Sequence, residues 1–324
     1  MRGGTDAQGR FSRRTVRARR EYALVAGLVA AGGASGAAGG HMMRARPVRM
    51  EVTRPSALWA SLVVLLFGVA ACNPIRGLNI LSTEDEVALG HEFDEQIARE
   101  ATLLENPDVV AYVQELAQRL AAVCGRRDLT YRARVVDAED VNAFAVPGGF
   151  LYVNVGLLRA VGTESELAGV MAHEIGHVVG RHGAKHLSQQ YGITILVKMA
   201  TGDDPTLAEK IVGTLLAVGG QGLMLDYSRK DEAEADSLGV RNLYDAGFDP
   251  RGLATFFERL LAQESRRDSR LERLLSTHPP TRERAARTRA QIAALPPRTD
   301  LATDSARFRQ IQALLPAPKR SQAE

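Results

Sequence analysis

Apolar residues recur at helical spacing behind Ser82-Thr83-Glu84-Asp85-Glu86, where a hydroxyl is followed three residues on by a carboxylate. Val87, Leu89, Phe93 and Ile97 then predict a helix over about 83–103. Asn106-Pro107 opens a second helix through Val110, Val113, Leu116 and Leu120, ending near Gly125. Tyr131, Ala133 and Val135 alternate with charged residues, as in a strand with one wet face. The run from Asn142 to Val155 folds two apolar stretches about Pro147-Gly148-Gly149, which predicts a hairpin. A long helical pattern runs from Glu164 to Gln190. Ile193 to Leu225 is apolar and punctuated by glycine; within it Ile211 to Leu225, fifteen residues that include Gln221, is too short and broken for a confident membrane span. Further helices are expected over 228–246, 250–263 and 281–294. After Pro296-Pro297 the remaining residues read as a loosely attached tail.

These elements predict an α+β fold: a mostly helical domain over 83–296 with a small antiparallel sheet or hairpin beside its long central helix. No helical repeat of 34-residue type is present. The first 71 residues differ in charge from the rest. Residues 1–71 hold 11 of the 41 Lys+Arg and 3 of the 38 Asp+Glu, which leaves the rest with 30 basic and 35 acidic groups. The overall charge of +3 therefore comes from the leader, and the body lacks the basic, aromatic-interleaved stripe of a nucleic-acid binder.

Within that leader, Arg54, the apolar run Ala57 to Ala71 and then Cys72 form a secretory signal over 50–71, and Val69-Ala70-Ala71-Cys72 resembles a bacterial lipobox. Lipidation of Cys72 is expected, with 72–82 as a tether that holds the domain to a membrane outside the cytoplasm. Asn73 is not the Asp that marks inner-membrane retention, so the periplasmic face of the outer membrane is favoured. Cys124 is then left without a disulfide partner. Residues 1–49 read either as a second, twin-arginine-like signal or, preferably, as sequence upstream of a true start at Met50.

The central helix carries His173-Glu174-Ile175-Gly176-His177. Histidines at i and i+4 project from one helix face and can share one Zn²⁺, with the intervening glutamate beside the metal's water. Catalytic zinc takes a third protein ligand and keeps one position for water. A histidine at 183 would supply it in one subclass, but that residue is Gly183, and His182 is one place out of register. The acidic segment Ser228 to Asp236 is the alternative source: Glu232 could bind the metal while Asp236, four residues on, fixes the tautomer of a liganding imidazole. His182 and His186 are expected to face elsewhere.

HEIGH, SRKDEAEAD and THPP, with NAFAVPGGFLYVN upstream, together resemble the gluzincin metallopeptidase family that includes HtpX, BepA and LoiP, and in particular its periplasmic lipoprotein branch. The resemblance spans about 80–290. It implies a zincin-type fold, one Zn²⁺ per chain held by His173, His177 and Glu232, and Glu174 as general base. It also implies an edge strand, Phe150, Leu151, Tyr152, Val153 and Asn154, on which an extended substrate lies, and His278 as an extra ligand or gate; His278 is also a catalytic candidate, for steadying the oxyanion. The function it implies is hydrolysis of peptide bonds in misfolded or misassembled envelope proteins. Unfolded protein substrates and the outer-membrane assembly machinery are the expected partners. A chaperone-like scaffold with a closed, structural zinc site is the competing reading.

Overall fold

A computed structural model of the chain describes residues 79–190, 227–264 and 269–318, all within one compact unit, Val64–Glu324. The expected leader, signal peptide and Cys72, and the apolar stretch 193–225, lie outside the described residues.

Helix α1 (Thr83–Glu100) begins at the capping box read from the sequence, in which the Ser82 hydroxyl and the Asp85 carboxylate each accept the other's backbone N–H. Asn106 caps α2 (Pro107–Ala121), with proline in its first turn. Three strands follow: β1 (Arg132–Val136), β2 (Ala143–Val146) and β3 (Phe150–Asn154). The β2–β3 hairpin forms as expected about Gly148 and Gly149, which both take positive φ. A short α3 (Val155–Ala160) leads into α4 (Glu164–Val179), which carries HEIGH.

The sheet corrects the expectation in two respects. It is mixed, in the order β1-β3-β2, with β1 parallel to β3. The strand Phe150–Asn154, expected at the edge, is the central one, bonded on both sides. All five of its residues are buried, and its unbroken apolar run was the signal that no face is wet. Residues 102–104 cover the outer side of β1: Leu104 N–H donates to Val135 and Asp137 N–H to Thr102. The edge that no other strand pairs among the described residues is that of β2, which packs beside α4. Asn154 N–H donates to the Asn142 carbonyl, so antiparallel alternation turns the backbone groups of Ala143 and Ala145 outward.

Two further expectations change. The helical pattern 164–190 is broken at Gly180–Arg181, where Arg181 takes φ 55°, before helix resumes over 182–190. The segment beyond Pro297 is docked rather than loose. Thr303 accepts the N–H of Ser165 at the start of α4, and Ala302 bonds the backbone at Gly247 and Asp249. Phe308 and Ile311, on a terminal helix α9 (Ala306–Ala313), are buried in the main core.

That core surrounds α4, which is buried along almost its whole length by α2, the sheet and helices α5 (Arg229–Asp245) and α6 (Arg251–Glu264). The α4–α5 contact is close because residue 176 has no side chain. A Cβ at Gly176 would stand 2.7 Å from the Ala235 carbonyl oxygen. Short α7 (Glu272–Thr277) and α8 (Arg282–Ala293), joined by His278-Pro279-Pro280, complete the shell on that side.

Candidate metal centre

Three elements meet at one buried point. Helix α4 presents His173 and His177 one turn apart, with Nε2 atoms 3.1 Å from each other. Helix α5 is started by Ser228 in a capping box with Asp231, which places Glu232 in its first turn, facing α4. Glu232 Oε1 is 3.2 Å from His177 Nε2, and its Oε2 is 3.6 Å from His173 Nε2. The end of α7 brings His278, whose Nδ1 lies 2.8 Å from Glu232 Oε1 and 3.4 Å from His173 Nε2. One ligating atom from each of His173, His177, Glu232 and His278 falls within 4.8 Å of all the others, and all four residues are buried.

This donor set suits zinc. Two imidazole nitrogens face each other at 3.1 Å beside a carboxylate, and lone pairs converging at such distances, away from water, are satisfied by a shared cation. Glu174 is buried one residue along from His173, its Oε1 has no hydrogen-bond partner among the described residues, and His278 Nε2 is 3.7 Å away. Burial raises the Glu174 pKa, against the pull of His278 and His173 and a hydrogen bond from the Ala145 amide of β2. Burial also holds His177 well below the ordinary histidine value, in the neutral form that a ligand needs. Burial would raise Glu232, but the imidazoles of His177 and His278 against its carboxylate more than reverse this and lower its pKa. His278 moves up despite burial, because Glu174 and Glu232 face it.

The surrounding groups orient the ligands. Asp236, one turn beyond Glu232, sets Oδ1 3.0 Å from His173 Nδ1, as its spacing suggested. Arg284 of α8 donates to both Asp236 oxygens at 2.9 and 2.7 Å and sits 2.6 Å from Glu232 Oε2. The sequence reading missed Arg284; its only signal was a basic residue six places after His278. It also missed Tyr227, immediately before the α5 cap, whose ring stacks on His177 with centroids 3.9 Å apart. His182 was expected to face elsewhere but is buried, with Nδ1 2.9 Å from His177 Nδ1. The break at Arg181 is the reason: the angular offset of a continuous helix no longer applies. His186 is only half-buried and His91 is exposed, its ring edge-on to Phe150.

Comparison with known proteins agrees with this geometry. The sequence pattern of peptidase family M48 matches residues 107–292, which include all four cluster residues. The chain is 33% identical over 219 residues to the beta-barrel assembly-enhancing protease of Escherichia coli K12, covering 64% of this chain and 44% of that protein. It is 35% identical over 173 residues to the mitochondrial metalloendopeptidase OMA1 of Schizosaccharomyces pombe, covering 53% of this chain and 50% of the relative. Against the metalloprotease LoiP of E. coli K12 it is 34% identical over 164 residues, or 50% and 62% of the two chains. The chain thus spans under half the length of the beta-barrel assembly-enhancing protease that it matches. A histidine pair on α4, a glutamate delivered by α5 and a match across more than half the sequence establish that the chain belongs to peptidase family M48.

Proposed function

We propose that the protein is a zinc endopeptidase of the bacterial envelope that hydrolyses unfolded or misassembled protein chains. The observation that carries this is the convergence of His173, His177 and Glu232 on one point, with the buried carboxyl of Glu174 beside it. Bound zinc would supply Lewis acidity, polarising the scissile carbonyl and acidifying water.

The chain's own residues do the rest. Glu174, raised by burial toward the range useful in proton transfer, takes a proton from the attacking water and returns it to the leaving amine. Asp236 and Arg284 hold the ligand set in place. The outward backbone groups of Ala143 and the outward carbonyl of Ala145 offer antiparallel pairing to an extended substrate, which suits a peptidase of unfolded chains because main-chain pairing demands no side-chain sequence. This moves the substrate edge from Phe150–Asn154 to β2, whose Ala145 amide already reaches Glu174.

The lipobox-like run ending at Cys72 supports anchoring at the periplasmic face, with the outer membrane favoured. Similarity to a beta-barrel assembly-enhancing protease supports the outer-membrane assembly machinery as a partner.

A specific observation keeps a second reading in view: His278 stands within ligand range, and four protein ligands would close the site as in structural zinc centres. Purified protein should cleave casein, and lose that activity on chelation and in Glu174→Gln. Stoichiometric zinc with no cleavage, in wild type and in His278→Ala alike, would instead establish the scaffold.

A further inference from the structure

We propose that His182 is a positioning residue of the zinc site, accepting the Nδ1 proton of His177 and so fixing which nitrogen His177 turns toward the metal. The inference deepens the zinc-peptidase reading and rests on it.

His177 Nε2 faces the cluster, 3.1 Å from His173 Nε2 and 3.2 Å from Glu232 Oε1. A neutral imidazole that offers its Nε2 lone pair to a cation carries its proton on Nδ1. That proton needs an acceptor, since a buried N–H without one costs about 1–3 kcal/mol. His173 solves the same problem with a carboxylate, Asp236. Among the described residues, what stands at His177 Nδ1 is not a carboxylate but His182 Nδ1, 2.9 Å away on a fully buried side chain.

To accept there, His182 must keep its own proton on Nε2. The surroundings favour that tautomer electrostatically: the carboxylate oxygens Asp231 Oδ1 and Glu234 Oε2 face Nε2 at 3.6 and 3.5 Å, close enough to favour a proton there without closing a hydrogen bond. Both carboxylates belong to α5, the helix that delivers Glu232.

The local backbone is built for this contact. Arg181 takes a positive φ that turns the chain back after α4, and its guanidinium is held by the Glu86 carboxylate and the Leu81 carbonyl. The His182 ring then fills the space where residue 180 has no side chain: a Cβ there would lie 2.4 Å from its Nε2.

The test compares zinc affinity, by competition with a chromophoric chelator, in the full chain and in two variants. His182→Phe keeps the ring volume without an acceptor and should bind zinc about 10–100-fold more weakly. His182→Asn, whose Oδ1 can stand where Nδ1 stood, should stay within about three-fold of wild type. Equal affinity in wild type and His182→Phe would overturn the proposal, and so would equal weakening in both variants. Should His182→Phe fail to fold, long-range ¹H–¹⁵N spectra of the zinc-loaded wild type give the tautomer directly. A proton on His182 Nε2 with a bare Nδ1 is expected, and a proton on His182 Nδ1 would overturn it. Wild-type protein that takes up no zinc would instead refute the zinc reading itself.

Discussion

Arg284 grips Asp236 with both arms of its guanidinium, at 2.9 and 2.7 Å, and the same group lies 2.6 Å from the Glu232 carboxylate. One buried cation from α8 therefore balances both acids of α5 that serve the metal site. Arg284→Ala leaves two buried carboxylates without their counter-charge and should cost about 3–5 kcal/mol in denaturant unfolding. Arg284→Lys should recover only part, because one ammonium cannot reproduce a planar fork spanning two acids. A loss below about 1 kcal/mol in Arg284→Ala would remove this residue from the account of the site.

Glu174→Gln removes the proton acceptor and leaves the four converging ligand atoms untouched. Casein cleavage should fall about 10²–10⁴-fold with zinc content unchanged. A variant that keeps wild-type turnover would mean that another group moves the proton.

His278→Ala opens the position that the imidazole occupies beside Glu232 and His173. Zinc should remain stoichiometric, held by three ligands, while cleavage of an unfolded substrate rises, because water gains the fourth place. A fall in both zinc content and activity would show that three ligands do not suffice.

Asp94 joins the first helix to the sheet, accepting 2.6 Å bonds from the Arg134 Nε and Nη2 donors and a 2.7 Å bond from the Tyr152 hydroxyl. Burial would raise its pKa, but these donors lower it below the ordinary value near 3.8. A depressed acid contributes stability that is present above its unfolded pKa and lost as pH falls through the folded one. Urea midpoints should therefore decline for wild type below about pH 4, and decline less in Asp94→Asn. Parallel curves for the two proteins would refute this contribution.

Phe308 is completely buried although it lies beyond the last proline pair of the sequence. Phe308→Ala should cost about 3–5 kcal/mol, measured by thermal or denaturant unfolding. A loss below about 1 kcal/mol would show that the terminal helix is an accessory.

The sequence by itself determined what depends on neighbours along the chain. HEIGH on an apolar helical pattern fixes two imidazoles on one face, because a helix turns about 100° per residue, and α4 shows them 3.1 Å apart. The caps at Ser82, Asn106 and Ser228 and the turn at Gly148-Gly149 were legible for the same reason: a few adjacent residues satisfy one another's hydrogen bonds. Glu232 and Asp236 could be read as a pair, and their order matched a family pattern, but nothing local says that α5 lies against α4.

That was decided by tertiary packing. The bare surface at Gly176 lets the two helices approach closely enough for a carboxylate and two imidazoles to share a point. Arg284, Tyr227 and His182 join the site from positions whose sequence context is ordinary, and His182 arrives only because one left-handed residue ends the helix on which its direction had been reckoned. The central place of β3 likewise depends on β1 pairing with it across an intervening strand. Periodicity reports which face of an element is buried; which partner buries it is a long-range choice that the closeness of packing settles.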